Sequence, residues 1–146
     1  YVEKLYKNLD GKMLGSSSLV QRGVPDKEFA IGITLEESAL RYIEGGSPIG
    51  MVYPEDGALV IPDASAIIKG AKNMEAAKKF TDFLISKEVQ EMAVKDFKRR
   101  SVRMDVGGLE GVPDLKELNL IEYDANWASS HKTEVMERFQ KIVMGQ

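Results

Sequence analysis

Ser16, Ser17 and Ser18 form a run of three hydroxyls at the point where an extended segment gives way to a helix. Hydroxyls at such a junction, together with helical N–H groups, can hold an anion through hydrogen bonds and the helix dipole. The plainer role is that one serine simply caps the helix. Thr34-Leu35-Glu36-Glu37 has the wording of a capping box, with Thr34 as N-cap and Glu37 reaching back to it. That leaves Glu36 on the first turn, either facing a cleft as a ligand contact or complementing the dipole. Pro54-Glu55-Asp56-Gly57 is a turn by composition. Its two carboxylates would bind a cation or an amine, or would lie solvated. Lys98-Arg99-Arg100, with Arg103 beyond, is a small basic cluster at an expected helix C-terminus. The negative end of the helix accounts for it, and contact with a phosphate or carboxylate is the functional alternative. Trp127 and His131 are expected between helices in packing roles, with a stacking surface as the alternative for Trp127.

Much chemistry is excluded by what is missing. The chain has no cysteine, so disulfides, zinc–thiolate sites and thiol catalysis are out. One histidine leaves little room for His-based metal sites or a Ser-His-Asp triad. Glu55 and Asp56 are sequence neighbours without an evident base, which does not make a catalytic dyad. Neither a metal site nor a resident cofactor is expected. A net charge of −3 with mixed signs implies no broad basic surface, so nucleic acid is not an expected partner. No apolar run approaches the ~18–20 residues that span a bilayer. At 146 residues, 43% hydrophobic and 29% charged, the composition is that of one soluble globular domain.

The elements that must position these residues follow from periodicity. Val2, Leu5, Tyr6 and Leu9 have helical spacing, and Asp10-Gly11 stops it. A helix with no start signal at residue 1 suggests a beginning inside a larger protein, with no signal peptide in view. A short helix covers LVQRGV after the serines. Strands are predicted at 29–33 and 49–53, joined by a helix over 35–44 that closes at Gly45-Gly46. Short strands are expected at 58–61 and 65–68. A long helical stretch from Asn73 to about Arg100 should break near Ser86-Lys87, with Phe80, Phe83, Val89 and Phe97 on its apolar side. Residues 104–113 read as loop, Asp114 and Glu117 as a second capping box, and 132–144 as the last helix.

The order of these pieces resembles the bacterial extracellular solute-binding proteins of ABC importers, of the family 1 iron(III)- or phosphonate-type group. The resemblance rests on Leu5, Tyr6 and Asn8, then Ser16–Ser18, then AIGIT at 30–34. It continues with Gly46-Ser47-Pro48-Ile49 and with Val52-Tyr53-Pro54-Glu55-Asp56-Gly57. Ala77, Phe80, Phe83, Leu84, Ser86, Glu88 and Gln90 complete it. It covers nearly the whole chain and corresponds to the C-terminal half of such proteins.

The resemblance implies an α/β, periplasmic-binding-protein-like (type II) lobe, with a mixed sheet flanked by helices. Residues 1–52 would belong to the second lobe, 53–103 would cross back to the first, and 104–146 would return as C-terminal helices. It implies a non-enzymatic receptor, periplasmic or extracellular and membrane-associated through its permease. The solute would be an organic anion, a phosphonate or sugar phosphate, or a ferric complex, held in an interlobe cleft. Ser16, Ser17, Ser18, Thr34, Glu36, Glu55 and Asp56 are the candidate contacts. The iron-binding branch has adjacent tyrosines where this chain has Leu35-Glu36, which favours the organic anion. An α/β hydrolase or transferase using Glu36 or Glu55/Asp56 is the alternative, and a purely structural interaction domain is a third. With part of a lobe absent, Phe80, Phe83, Val89 and Phe97 would need cover, and dimerisation or domain swapping is the expected route.

Overall fold

A computed structural model describes residues 1–145 of the chain. In chain order it contains α1 (Val2–Leu9), α2 (Ser17–Gly23), α3 (Glu36–Glu44), β1 (Ala58–Leu59), α4 (Met74–Leu84), α5 (Lys87–Phe97), a 3-10 turn (Leu115–Glu117), β2 (Leu120–Ile121) and α6 (Ala125–Met144). The helices pack in pairs, α1 with α6, α2 with α3 and α4 with α5.

Local signals hold where they are strong. Asp10 ends α1 in the left-handed conformation, φ 48°. Gly45 follows α3, and its N–H returns to the Arg41 carbonyl at 3.0 Å. The long stretch after Asn73 does divide near Ser86, whose hydroxyl accepts from the Val89 N–H at 3.4 Å. Asp114 N–H donates to the Glu117 carboxylate at 2.8 Å, one arm of the predicted capping box. The last helix starts earlier than the spacing predicts, because Asp124 caps it by accepting from Trp127 N–H at 2.9 Å. Trp127 and His131 therefore lie on α6 itself, stacked with ring centroids 4.5 Å apart, and not between helices.

The expected strands at 29–33 and 49–53 are not formed as a ladder. Both segments are extended, but Ile31 is 85% exposed, Ile33 76% and Val52 89%. A strand is stabilised by its cross-strand neighbours, and periodicity supplies none. The segment 65–68 is extended and unpaired for the same reason, with Ile68 also exposed. The one sheet among the described residues is the parallel pair β1–β2, with Ala58 opposite Leu120 and Leu59 opposite Ile121. Gly57 makes that pairing possible. Its φ is +134°, and a Cβ there would meet Ile121 Cγ1 at 2.6 Å.

Among the described residues no apolar side chain is fully buried, and the accessible surface is 12,095 Å². A compact monomer of this length exposes only about 7,500 Å². Phe80, Phe83 and Phe97 on the α4–α5 pair are each half exposed or more. The tightest packing is around α2. A Cβ on Gly23 would meet the Phe29 ring at 2.5 Å, and one on Gly32 would meet Val20 and Val24 at 2.9 Å. Gln21 Nε2 donates to Ser38 Oγ at 2.8 Å, and Ser38 is only 2% exposed. The extended segment after Phe29 thus lies against α2, and α2 is bonded to α3. Gly23→Ala is predicted to destabilise the chain by roughly 1–3 kcal/mol through overpacking against Phe29. Urea unfolding followed by far-UV circular dichroism checks this, and an unchanged midpoint would refute the close fit.

Candidate functional site

The three serines surround the start of α2. Ser16 is the N-cap residue with extended backbone, yet its hydroxyl makes no capping bond. Ser16 Oγ and Ser18 Oγ instead lie 2.8 Å apart, and all three side chains are exposed. In that pair one hydroxyl donates to the other, and the acceptor's own hydrogen can be donated to a further group. Thr34 is also exposed, on the extended segment that leads into α3. It is not the cap. α3 begins one residue later than a Thr34 cap requires, with Leu35 at the N-cap position and no side-chain capping bond. Glu37 does not reach back, because its carboxylate lies 3.5 Å from the Arg99 guanidinium. A charge-assisted contact outweighs a neutral capping bond.

Glu36 is the most heavily engaged of the predicted residues. Arg100 Nε donates to its Oε2 at 2.9 Å and its Oε1 at 3.2 Å, while Nη2 donates to Oε1 at 2.8 Å. The Tyr53 hydroxyl donates to the same Oε1. Arg100 Nη2 also donates to the Pro113 carbonyl at 2.8 Å. Both charged side chains are less than a quarter exposed, at 18% for Arg100 and 23% for Glu36. Partial burial opposes ionisation of Glu36, but hydrogen bonds from Arg100 and Tyr53 and the guanidinium charge outweigh it. The carboxyl is held below its ordinary value of 4.5. Tyr53 moves the other way, its hydroxyl raised above the ordinary 10.0 by burial and then by the bond to the Glu36 carboxylate.

Glu55 and Asp56 occupy the expected turn, closed by Gly57 N–H to the Pro54 carbonyl at 3.3 Å. Asn119 Nδ2 donates to the Glu55 carbonyl at 3.1 Å, which ties the turn to the β2 segment. Both acidic side chains point into solvent. The structure therefore places Ser16–Ser18, Thr34 and Glu36 on one packed unit. Tyr53 brings the entrance of the 54–57 turn to it.

The basic triplet has more to do than complement a helix end. Lys98 does donate to the Lys95 carbonyl at 3.0 Å. Its Nζ also lies 2.6 Å from Glu44, and Arg99 bonds both Asp63 and Glu37. Three consecutive cations thus meet three acids of α3. The charges were visible in the sequence, but their meeting across more than fifty residues was not. Among the described residues no group of three His, Cys, Asp or Glu side chains is placed to hold a metal ion, and no helix is long and apolar enough to cross a membrane.

The sequence profile of the bacterial extracellular solute-binding proteins matches residues 2–125, and the chain belongs to that family. A protein of Haemophilus influenzae, described only as uncharacterized, is 30% identical over 99 residues. Those residues are 66% of this chain and 29% of the relative, so the chain spans under a third of the relative's length. No solved structure matches the chain.

Loss of the Glu36 charge leaves a partly desolvated Arg100 without its counter-ion. Glu36→Gln is predicted to cost roughly 1–3 kcal/mol at neutral pH, in the range of a charged hydrogen bond. Because the folded-state pKa is depressed, this stabilisation is complete above the unfolded value and is lost as pH falls through the folded one. The stability gap between the native chain and Glu36→Gln should be flat above about pH 5 and should close on further acidification. A gap that widens in acid would show that the carboxyl is not held ionised.

Proposed function

We propose that this chain forms part of an importer's solute receptor and that it holds a small organic anion, such as a phosphonate or sugar phosphate, in a cleft between lobes. The observation that carries the reading is the set of exposed serine hydroxyls at the start of α2, none of them used in capping, on the same packed unit as Thr34. Exposed hydroxyls can donate to the oxygens of an anion, and a bond to a charged acceptor is stronger than one to a neutral acceptor. Membership of a solute-binding family supports transport as the setting and the outside of the cytoplasmic membrane as the place. The receptor captures and releases its solute, working with a membrane permease, and makes or breaks no bond.

A ferric complex fits less well. Leu35-Glu36 stands where phenolate ligands would be needed, and the Glu36 carboxylate is already satisfied by Arg100 and Tyr53. Hard Fe(III) wants several anionic oxygens, and Glu55 and Asp56 alone do not make such a set. Glu36 is accordingly an anchor in this reading, and direct solute contacts come from Ser16, Ser17, Ser18 and Thr34, with the Glu55–Asp56 turn at the rim. In the hydrolase or transferase alternative Glu36 is engaged by the same ion pair, and Glu55 and Asp56 are left as its acid–base candidates.

The lobe layout proposed from the sequence is supported by the return of α6 to α1, where Tyr6 OH donates to the Val143 carbonyl at 3.1 Å. The greater part of the relative lies outside the match. We take a further lobe, in preference to a second copy of the chain, as the cover for Phe80, Phe83 and Phe97. Sedimentation that shows a stable dimer burying these residues would reverse that choice.

Ser17→Ala or Thr34→Ala in the intact receptor is predicted to weaken binding of the organic anion by roughly 1–2 kcal/mol, the loss of one charge-assisted hydrogen bond. Calorimetric titration with sugar phosphates, phosphonates and ferric citrate checks it. Tight ferric binding that survives both substitutions would overturn the anion reading.

A further inference from the structure

We propose that Glu36 is a hinge pin, the point at which two separate connecting segments meet and fix the α2–α3 unit relative to the α4–α5 unit. Each helix finds its main partner inside its own pair. Ion pairs run between the two units. Tyr53 lies on the segment that leaves α3, and Arg100 lies on the segment that leaves α5. Both donate to the single carboxylate of Glu36 at the start of α3.

Arg100 transmits the position of its own helix pair because its connector is bonded back onto that pair. Gln90 of α5 accepts from Ser101 Oγ at 3.2 Å and from Val102 N–H at 3.1 Å, and its Nε2 donates to the Leu84 carbonyl at 2.9 Å. Arg103 Nη1 donates to the Ile85 carbonyl at 3.2 Å. The connector cannot swing without breaking these bonds, so the Arg100 guanidinium moves with α4 and α5. On the other side, α3 moves with α2 through Gln21 and Ser38.

The three cross-connections differ in kind. The Glu36–Arg100 pair is bidentate and mostly shielded, so salt screens it little. Lys98–Glu44 and Arg99–Glu37 each have one strongly exposed partner, at 61% for Glu44 and 49% for Arg99. They are outer struts that salt weakens. A shielded pair flanked by screenable struts keeps the two units in register at Glu36 when salt weakens the struts. The pin does not depend on which solute the receptor holds.

The chain has no native cysteine, so spin labels can be placed uniquely through Arg41→Cys on α3 and Asp82→Cys on α4, both exposed. Pulsed dipolar spectroscopy on the full chain should give one narrow distance peak, retained in Lys98→Gln/Arg99→Gln and lost in Glu36→Gln and in Arg100→Gln. The reversed pair Glu36→Arg/Arg100→Glu should recover the peak. A narrow peak in Glu36→Gln with native helix content would overturn the proposal, as would its loss in the strut variant with the pin intact. If the charge variants fail to fold, Tyr53→Phe decides, since it removes only one donor. Broadening there supports the pin, and an unchanged peak refutes it.

Discussion

One carboxylate, that of Glu36, is the interaction on which the arrangement of this chain depends. Its first-turn position on α3 brings it to Arg100 and Tyr53 from two other parts of the chain, and its charge is satisfied by three guanidinium contacts and a phenol. Desolvating a carboxylate is costly, and the geometry offsets that cost because arginine presents two parallel donors to two oxygens. Lysine at position 100 would offer a point charge and could not span both oxygens. The same geometry occupies the Glu36 carboxylate, which is why the proposed reading places the solute on neutral hydroxyls.

The role of polar contacts is large here because apolar burial is small. Among the described residues few side chains are deeply covered, and the main helix contacts are within pairs. Close fits do occur where glycine allows them, at Gly23 against Phe29 and at Gly57 against Ile121. Elsewhere the segments 29–33 and 49–53 stay extended with isoleucine and valine in solvent, like strands whose neighbours are not in this chain.

The signature residues Ser86 and Gln90 show how a family pattern can be structural in origin. Ser86 caps α5 at the corner with α4, and Gln90 bonds both the end of α4 and the connector beyond α5. Their types suit the turn and the return of the chain. The serines and Thr34, by contrast, make no side-chain capping bond at α2 or α3.

The sequence by itself determined what depends on residues a few positions apart. It located the helix stop at Asp10, the corner at Ser86, the Asp114–Glu117 box, the turn at 54–57 and the family, since each is written in local spacing or in ordered motifs. It misplaced the cap of α3, because the acid expected to reach back to Thr34 was drawn to Arg99 far along the chain. It could not show that the predicted strands lack partners, since a ladder is a property of two segments and periodicity describes one. Only the tertiary structure decided that Glu36 belongs to Arg100 and Tyr53. A residue type and its spacing specify what a side chain can bind, while the choice among candidate partners is made by which of them the fold brings within hydrogen-bonding distance.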